Sequence, residues 1–356
     1  MSENRFQRVD IESYTNRVKV SSKFWSPFKR GIVICNICER HCHIPPGFSG
    51  LCGNYANDNG CLYDIGYGQL SAIESRPIEI KPLFHFYPNS TALTFSGWGC
   101  NFHCPWCQNY HLSMIRPSPK AKTVTPEELV NYAIKTRDNG LCASFNEPTI
   151  HLAFLLESFK LASEKGLYNT MVSNGYMTKS SINALISSGL NGLNIDIKGC
   201  PESHKYHLKG INPDIIFRNA KLFLDNNVHV EIVFLVVTGY NDNPECIRWV
   251  LKRHIDTLGP DIPLHINRYY PAYKYGKPAT DLNILISAYE MAKDLGIKYV
   301  YIGNIWEPKY ETTYCPKCNT PLIIRMNHRV IESRLDGNRC RRCGERIYLT
   351  GKVLAV

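Results

Sequence analysis

The sequence has 356 residues, of which 44% are hydrophobic and 20% charged, a balance that excludes a disordered chain. The longest apolar run, at positions 232–237, is too short to span a bilayer, and the N-terminal residues lack an apolar signal core, so we expect a cytoplasmic protein with no membrane partner. The formal net charge of +10 overstates the basicity of a metal-loaded chain, because bound thiolates remove roughly five units. In a reducing compartment, its 15 cysteines indicate metal sites rather than disulfides.

The first ninety residues contain four cysteines with the spacing C-x2-C-x3-C-x9-C, namely Cys35, Cys38, Cys42 and Cys52. Together with short β-prone pieces, they predict a small, loop-rich, Cys-rich metal-binding module over residues 1–90. The spacing is compatible with zinc and equally with an iron–sulfur cluster. His41, His43 and Cys61 are substitute ligands for this group.

Strands alternate with helices between residues 91 and 310, which predicts an α/β core. We expect strands at 91–96, 141–145, 170–173, 193–197, 228–237, 264–267 and 299–303. A helix begins after Thr125, since Pro126 and Glu128 follow this N-cap as in a capping box, and other helices are expected at 150–165, 182–188, 244–258 and 281–295. The alternation implies parallel strands and a partial (β/α) barrel, with a doubly wound sheet as the alternative.

Three cysteines lie on the loop that follows the first predicted strand of this core. Cys100, Cys104 and Cys107 have the spacing C-x3-C-x2-C, and no fourth thiol stands beside them in the sequence. A 4Fe-4S cluster bound by three thiolates keeps one iron open, and an open position lets a metal site do chemistry. The alternatives are a zinc site completed by His103 or His111, and ordinary buried thiols. A location at a strand end favours the cluster.

Two C-x2-C pairs near the C-terminus predict a zinc ribbon over residues 311–356. Each pair forms a tight knuckle, and two knuckles close a tetrahedral site; the four ligands are Cys315, Cys318, Cys340 and Cys343. The alternative is four free thiols.

Zinc in the N-terminal group as well is the simpler expectation, because the chain then has two structural sites of one kind. We expect the remaining isolated cysteines to be buried or incidental thiols, namely Cys142, Cys200 and Cys246.

Several motifs together resemble a known superfamily. They are the N-terminal four-cysteine group, the run KPLFHF at 81–86, the cysteine loop ending in Gln108 and Asn109, FNEPT at 145–149, SNGY at 173–176, NIDIK at 194–198, TGYND at 238–242, YIGN at 301–304 and the terminal ribbon. The C-x3-C-x2-C spacing is that of the radical S-adenosylmethionine (radical SAM) enzymes. The central segment resembles the pyruvate formate-lyase-activating enzymes. Over nearly the whole chain, the sequence is similar to the radical SAM member of the AmmeMemoRadiSam system.

The resemblance implies an oxidoreductase with a 4Fe-4S cluster, S-adenosylmethionine and zinc as cofactors. Such an enzyme cleaves S-adenosylmethionine reductively and uses the 5′-deoxyadenosyl radical to abstract a hydrogen atom from a substrate that the sequence does not identify. It implies a one-electron donor of the flavodoxin or ferredoxin type. The family name also indicates AMMECR-type and Memo-type proteins as partners.

The resemblance also places cofactor contacts in the first half of the core. Trp106 matches a position whose backbone lies beside the adenine. Asn146 and Glu147 stand where related enzymes carry a Gly-Gly-Glu segment that binds the methionine amino group. Ser173 and Asn174 end a strand and are expected to reach the ribose hydroxyls.

Further along, Asp196 and Lys198 lie on one face of a strand, because side chains two residues apart point the same way. They are expected to hold the zwitterionic cofactor, with an internal salt bridge as the alternative. Activating enzymes carry a cation-binding Asp where this chain has Val172, so we expect no such ion site. Arg268 is expected either to clamp a substrate anion or to cap a backbone carbonyl.

A binding protein is the alternative to an enzyme. In that hypothesis, the zinc ribbon and a basic surface contact nucleic acid, and the iron–sulfur cluster is structural or redox-sensing. The three-thiolate loop argues for the enzyme, since structural clusters are normally ligated by four thiolates.

Overall fold

The computed structural model describes residues 6–355, and the chain divides into two units. The first unit contains the described residues up to Ser75 together with Leu93–Asn191. The second contains Arg76–Ala92 and the described residues from Gly192 onward. The segments 1–90, 91–310 and 311–356 expected from the sequence stay predictions, because the units follow packing rather than chain order.

Short antiparallel strands form the N-terminal part of the first unit. They are β1 (Gln7–Arg8), β2 (Val18–Lys19), β3 (Trp25–Pro27), β4 (Val33–Cys35), β5 (His43–Ile44), β6 (Phe48–Ser49), β7 (Tyr55–Asp58) and β8 (Cys61–Asp64). One sheet has the order β1-β6-β7-β8-β2 and another the order β3-β4-β5. Asn59 and Gly60 join β7 to β8, and both have positive φ, as a type I′ hairpin turn requires.

The rest of the first unit alternates strands and helices. Its elements are β9 (Ala72–Pro77), β10 (Thr91–Ser96), α1 (Tyr110–Ser113), α2 (Pro126–Lys135), β11 (Gly140–Ala143), α3 (Leu152–Glu164), β12 (Tyr168–Ser173) and α4 (Lys179–Ser187). Two residues of β9 and two of β10 belong to the segment Arg76–Ala92. The strands β9 to β12 are neighbours in chain order, and β11 pairs with β12 in parallel. The capping box at Thr125 and Glu128 is present, and α2 buries Leu129, Val130 and Ala133, which confirms the helix predicted there.

The second unit continues the alternation. Its elements are β13 (Gly192–Ile197), α5 (Pro201–His207), α6 (Pro213–Asp225), β14 (His229–Val236), α7 (Pro244–Leu258), β15 (Leu264–Arg268), α8 (Leu282–Asp294) and β16 (Val300–Gly303). These four strands pair in parallel and in chain order. The α/β class and parallel pairing expected from the sequence are therefore confirmed. None of the helices within residues 6–355 has the length and apolarity that crossing a bilayer requires.

Small antiparallel elements complete the second unit, namely α9 (Pro308–Glu311), β17 (Thr313–Tyr314), β18 (Pro321–Met326), β19 (Arg329–Ser333), β20 (Leu335–Asp336) and β21 (Arg339–Cys340). Cys315 and Cys340 pack in one buried cluster with Phe84, Tyr299 and Leu322. The inserted segment Arg76–Ala92 is held by backbone hydrogen bonds to a distant part of the chain. The N–H of Tyr87 donates to the Thr350 carbonyl at 2.9 Å, and the N–H of Thr350 donates to the His85 carbonyl at 2.9 Å.

One expectation about isolated cysteines is wrong. Cys200 and Cys246 form a disulfide, although we expected buried or incidental thiols. Cys200 is the N-cap of α5 and Cys246 lies in the first turn of α7, so folding brings together two residues 46 positions apart. No spacing motif in the sequence marks such a pair. Cys142 is a buried thiol, as expected.

Candidate functional site

The three-cysteine loop leaves the end of β10 through two glycines that other residues cannot replace. A Cβ on Gly97 would lie 2.1 Å from the His151 ring, and a Cβ on Gly99 would lie 2.4 Å from the carbonyl oxygen of Cys52. Gly99 also has a φ of +89°, which L side chains rarely adopt. The loop therefore packs directly against its surroundings, with Cys104 buried and Cys100 and Cys107 partly exposed.

Asn146 fastens this loop from the segment after β11. Its Nδ2 donates to the carbonyl oxygens of Gly97 and Gly99, each at 2.8 Å. Asn109, at the end of the loop, donates from Nδ2 to the Phe145 carbonyl at 2.6 Å. The Oδ1 atom of Asn146 is buried and has no hydrogen-bond partner among the described residues. A buried acceptor beside the cysteine loop is thus left for a donor outside the chain.

Glu147 joins the ends of two neighbouring strands. Its carboxylate accepts from the N–H of Thr149 at 3.0 Å and from its hydroxyl at 2.5 Å, and from the Ser173 hydroxyl and the N–H of Asn174 at 2.7 Å each. The residue is 1% exposed. Burial raises the pKa of this carboxyl, and the four hydrogen bonds act in the opposite direction. Burial also raises the pKa of the Cys100 thiol, and the nearby Glu147 raises it further.

Asn101 connects the strand ends to the cysteine loop, and sequence reasoning missed it. Its Oδ1 accepts from Nδ2 of Asn174 at 2.7 Å, and the Asn174 Oδ1 accepts from the N–H of Tyr176 at 3.0 Å. Asn101 directly follows Cys100, which is the one signal that the sequence offers. The structure thus brings Asn146, Glu147, Ser173 and Asn174 together around the three-cysteine loop. Trp106 is buried within that loop.

Asp196 and Lys198 lie at the end of β13 in the second unit, where they form an ion pair with each other. The internal salt bridge that was the alternative interpretation is therefore present. Asp196 Oδ1 is buried and lacks a hydrogen-bond partner within the part of the chain that the structure describes. Arg268 donates from Nε to the Thr280 carbonyl at 2.8 Å, which is the carbonyl-capping alternative.

The C-terminal cysteines have the spacing that a zinc ion needs. The Sγ atoms of Cys315 and Cys343 are 3.5 Å apart, and those of Cys318 and Cys340 are 3.7 Å apart. A tetrahedron of Zn–S bonds of about 2.3 Å places its sulfurs about 3.8 Å apart. The four thiols therefore fit zinc. Two arginines form hydrogen bonds to other residues of the ribbon. Arg341 donates to the Leu335 carbonyl and Arg342 to the Thr320 hydroxyl.

The N-terminal cysteines line one cavity. Cys35, Cys38, Cys42 and Cys52 share its wall with residues that include Arg40, Tyr55 and Asn101. Arg40 donates from Nε to the Asn101 carbonyl at 3.1 Å. Cys61, considered as a substitute ligand, lies in β8 and is not among the lining residues.

Comparison with known proteins decides the family. The radical SAM superfamily model matches residues 96–253, which include the three-cysteine loop, Glu147, Ser173 and Asp196. The chain contains a radical SAM domain. This radical SAM protein is therefore an enzyme, and its superfamily binds a 4Fe-4S cluster and S-adenosylmethionine.

Two relatives span different shares of this radical SAM enzyme. It is 38% identical over 328 residues to an uncharacterized protein of Methanocaldococcus jannaschii, covering 91% of this chain and 97% of that protein. It is 23% identical over 155 residues to the pyruvate formate-lyase 1-activating enzyme of Escherichia coli, covering 41% of this chain and 61% of that enzyme.

Matches among solved structures include Streptococcus suis SuiB bound to S-adenosylmethionine, at 17% identity and a TM-score of 0.46, which covers 62% of this chain and 49% of SuiB. A domain of the pyruvate-formate lyase-activating enzyme from Bacteroides vulgatus matches at 17% identity and a TM-score of 0.40, covering 47% of this chain and 99% of that domain. The cofactor roles of individual residues stay predictions.

Proposed function

We propose that this radical SAM enzyme cleaves S-adenosylmethionine reductively at a 4Fe-4S cluster bound by Cys100, Cys104 and Cys107, and abstracts a hydrogen atom from an unidentified substrate. The observation that carries the proposal is the three-thiol loop at the end of β10 in a chain of this superfamily. When bound, the cluster supplies one electron that breaks a sulfonium C–S bond and releases methionine and the 5′-deoxyadenosyl radical. The chain supplies three thiolates and leaves the fourth ligand position to the cofactor.

The polar groups around the loop support this assignment. A cofactor bound through an amino and a carboxylate group brings N–H donors, and the unpartnered Oδ1 of Asn146 is a buried acceptor beside the loop. Buried acceptors are costly unless a donor reaches them, so a ligand that presents an amino N–H suits this position. We propose further cofactor contacts at Trp106, Glu147, Ser173, Asn174, Asp196 and Lys198.

The finer family and its partners are part of the same proposal. We propose that the enzyme is the radical SAM member of the AmmeMemoRadiSam system, with AMMECR-type and Memo-type proteins as partners and a zinc ion in the C-terminal ribbon. Radical SAM activating enzymes take electrons from one-electron donors such as flavodoxin, and we propose a donor of that type or a ferredoxin here. The motifs spread along the chain support this assignment, and the proposed location is cytoplasmic.

The test is anaerobic reduction with dithionite in the presence of S-adenosylmethionine, followed by quantification of 5′-deoxyadenosine and methionine. We expect the wild type to form both in equal amounts, and the Cys100→Ala variant to fall to the level of a protein-free blank. Cys61→Ala is the matched control, because this thiol is also partly exposed but belongs to no cysteine group. A wild type that forms no more of either product than Cys100→Ala would overturn the proposal.

A further inference from the structure

The N-terminal cysteines and the C-terminal ribbon are both four-thiol groups, but their geometries differ. Across residues 6–355, the ribbon is the only set of three or more His, Cys, Asp or Glu ligand atoms that all lie within 4.8 Å of one another. No three of the sulfurs of Cys35, Cys38, Cys42 and Cys52 meet this limit, although all four residues line one cavity. The thiols thus face a common space at separations wider than a single zinc ion allows.

The three-cysteine loop serves as an internal reference for these distances. The sulfurs of Cys100, Cys104 and Cys107 also fall outside that limit within the described residues. A cubane places four irons and four sulfides between its thiolates, so its ligands stand farther apart than those around one tetrahedral ion. Both the N-terminal group and the three-cysteine loop therefore exceed the limit that the ribbon meets.

A buried donor lies in the wall of the same cavity. Asn101 is 1% exposed and lines it, and its Oδ1 is already engaged by Asn174. The Nδ2 of Asn101 is buried and makes no well-aligned hydrogen bond in the described part of the chain, and the Asn101 side chain lies against the thiol of Cys38, one of the four cysteines. A buried amide donor without a partner is costly. Cluster sulfurs commonly accept N–H hydrogen bonds, so a cluster in this cavity satisfies the donor.

We propose that Cys35, Cys38, Cys42 and Cys52 bind a second 4Fe-4S cluster, with one thiolate on each iron and Asn101 as a donor to its sulfurs. With all four irons ligated by the protein, this cluster has no open position for a substrate, which suits electron transfer rather than bond cleavage. The electron-transfer role of this cluster rests on the proposed function. The metal content of the cavity does not, because it is independent of the cleavage reaction.

The two cysteine groups are adjacent within the first unit. Gly99 approaches the Cys52 carbonyl so closely that no Cβ fits between them, and Asn101 lies next to Cys100 in the chain while lining the N-terminal cavity. Two paramagnetic clusters at such neighbouring positions interact magnetically. Reduction of both should therefore give broadened electron paramagnetic resonance signals that differ from the sum of the two clusters measured separately.

Metal analysis of the full-length protein, purified and reconstituted anaerobically, tests the proposal. We expect about eight irons, about eight sulfides and about one zinc per chain in the wild type. A variant with Cys100, Cys104 and Cys107 all changed to alanine should keep about four irons and about one zinc. A Cys35→Ser/Cys38→Ser variant should also keep about four irons and the same zinc, and Cys61→Ala should match the wild type.

Zinc in the cavity would overturn the proposal. The wild type would then contain about four irons and about two zincs, and the triple alanine variant would contain no iron. The ribbon zinc reports whether each variant has folded, and the wild-type counts decide the question even if a variant does not fold. A wild type with about eight irons that forms no 5′-deoxyadenosine would contradict the proposed function alone. One with about four irons that forms it would contradict the second cluster alone.

Discussion

Glu147 occupies both carboxylate oxygens with donors from its own chain. An ionised carboxylate has about four acceptor positions. Here Oε1 accepts from the N–H and hydroxyl of Thr149 and from the Ser173 hydroxyl, and Oε2 accepts from the N–H of Asn174. Two of those donors are backbone N–H groups, which cannot turn away or become acceptors. The carboxylate therefore fixes the end of β12 against the segment after β11, beside the cysteine loop.

Glu147→Gln should destabilise the protein by about 1–3 kcal/mol, because the new amide group has to face a buried backbone N–H and leaves it unsatisfied. The measurement is the free energy of unfolding in denaturant under anaerobic conditions. Glu127→Gln is the control, since Glu127 is exposed in the first turn of α2 and its change should stay within about 0.5 kcal/mol. Equal stability of Glu147→Gln and wild type would show that the four hydrogen bonds contribute nothing net.

From the sequence we predicted cofactor contacts at four side chains that the structure places around the cysteine loop, but not the hydrogen bonds that these side chains make. The contacts themselves stay predictions. Asn146, Glu147, Ser173 and Asn174 follow strands of one sheet, and side chains at neighbouring strand ends converge. The hydrogen bonds of Asn146 to Gly97 and Gly99 depend on a loop conformation that no spacing encodes. The role of Asn101 depends in turn on Asn174, 73 positions away.

At the scale of single elements, α2 has the clearest encoded start. The Thr125 hydroxyl accepts from the N–H of Glu128 at 3.2 Å, and the Glu128 carboxylate accepts from the N–H of Thr125 at 2.8 Å. Both bonds satisfy N–H groups that the helix itself leaves without partners.

Thr125→Ala should lower the free energy of unfolding by about 1 kcal/mol, because it removes the N-cap acceptor. Lys122→Ala, at an exposed position three residues earlier, should change it by no more than about 0.5 kcal/mol. Denaturant midpoints of the two variants and the wild type provide the comparison. A Thr125→Ala protein as stable as Lys122→Ala would mean that α2 does not depend on its cap.

Long elements were easier to predict than short ones. The apolar run that became β14 and the Asp281 cap of α8 are strong local signals, and both are confirmed. The helix expected from position 150 begins at Leu152, because a 3-10 turn over Pro148–His151 precedes it. The two-residue strands of the N-terminal part are too short to show the alternation of apolar and polar residues that marks a strand. Their pairing is set by turns and by contacts distant in sequence, which local patterns do not report.

At the scale of the whole molecule, several histidines are buried without charge in both units. Burial lowers the pKa of His151, His204 and His254 to about 4. In each case a backbone hydrogen bond acts in the opposite direction and raises the pKa. An unfolded histidine has a pKa of about 6.5. Each group thus contributes stability that is present above about pH 6.5 and is lost as the pH falls toward about 4, because the unfolded chain then binds the proton first.

His254→Gln should therefore lose less stability than the wild type between about pH 6.5 and about pH 4, by up to about 3 kcal/mol. Glutamine can still donate to the Ile262 carbonyl that His254 Nε2 contacts at 3.0 Å. Urea unfolding at several pH values measures the difference, and His207→Gln, at an exposed position of α5, should follow the wild-type curve. Parallel curves for His254→Gln and wild type would show that His254 does not carry this acid sensitivity.

The inserted segment Arg76–Ala92 imposes an order on biosynthesis. Its backbone partners around Thr350 are translated some 260 residues after Tyr87, so this segment leaves the ribosome long before its hydrogen bonds can form. The first unit, by contrast, has all of its residues available once Asn191 has emerged. Because domains generally fold as units during synthesis, we expect the first unit to become compact early and the second to wait for the C-terminal residues. A stalled nascent chain released before Thr350 would expose the apolar residues of the inserted segment to chaperones and proteases.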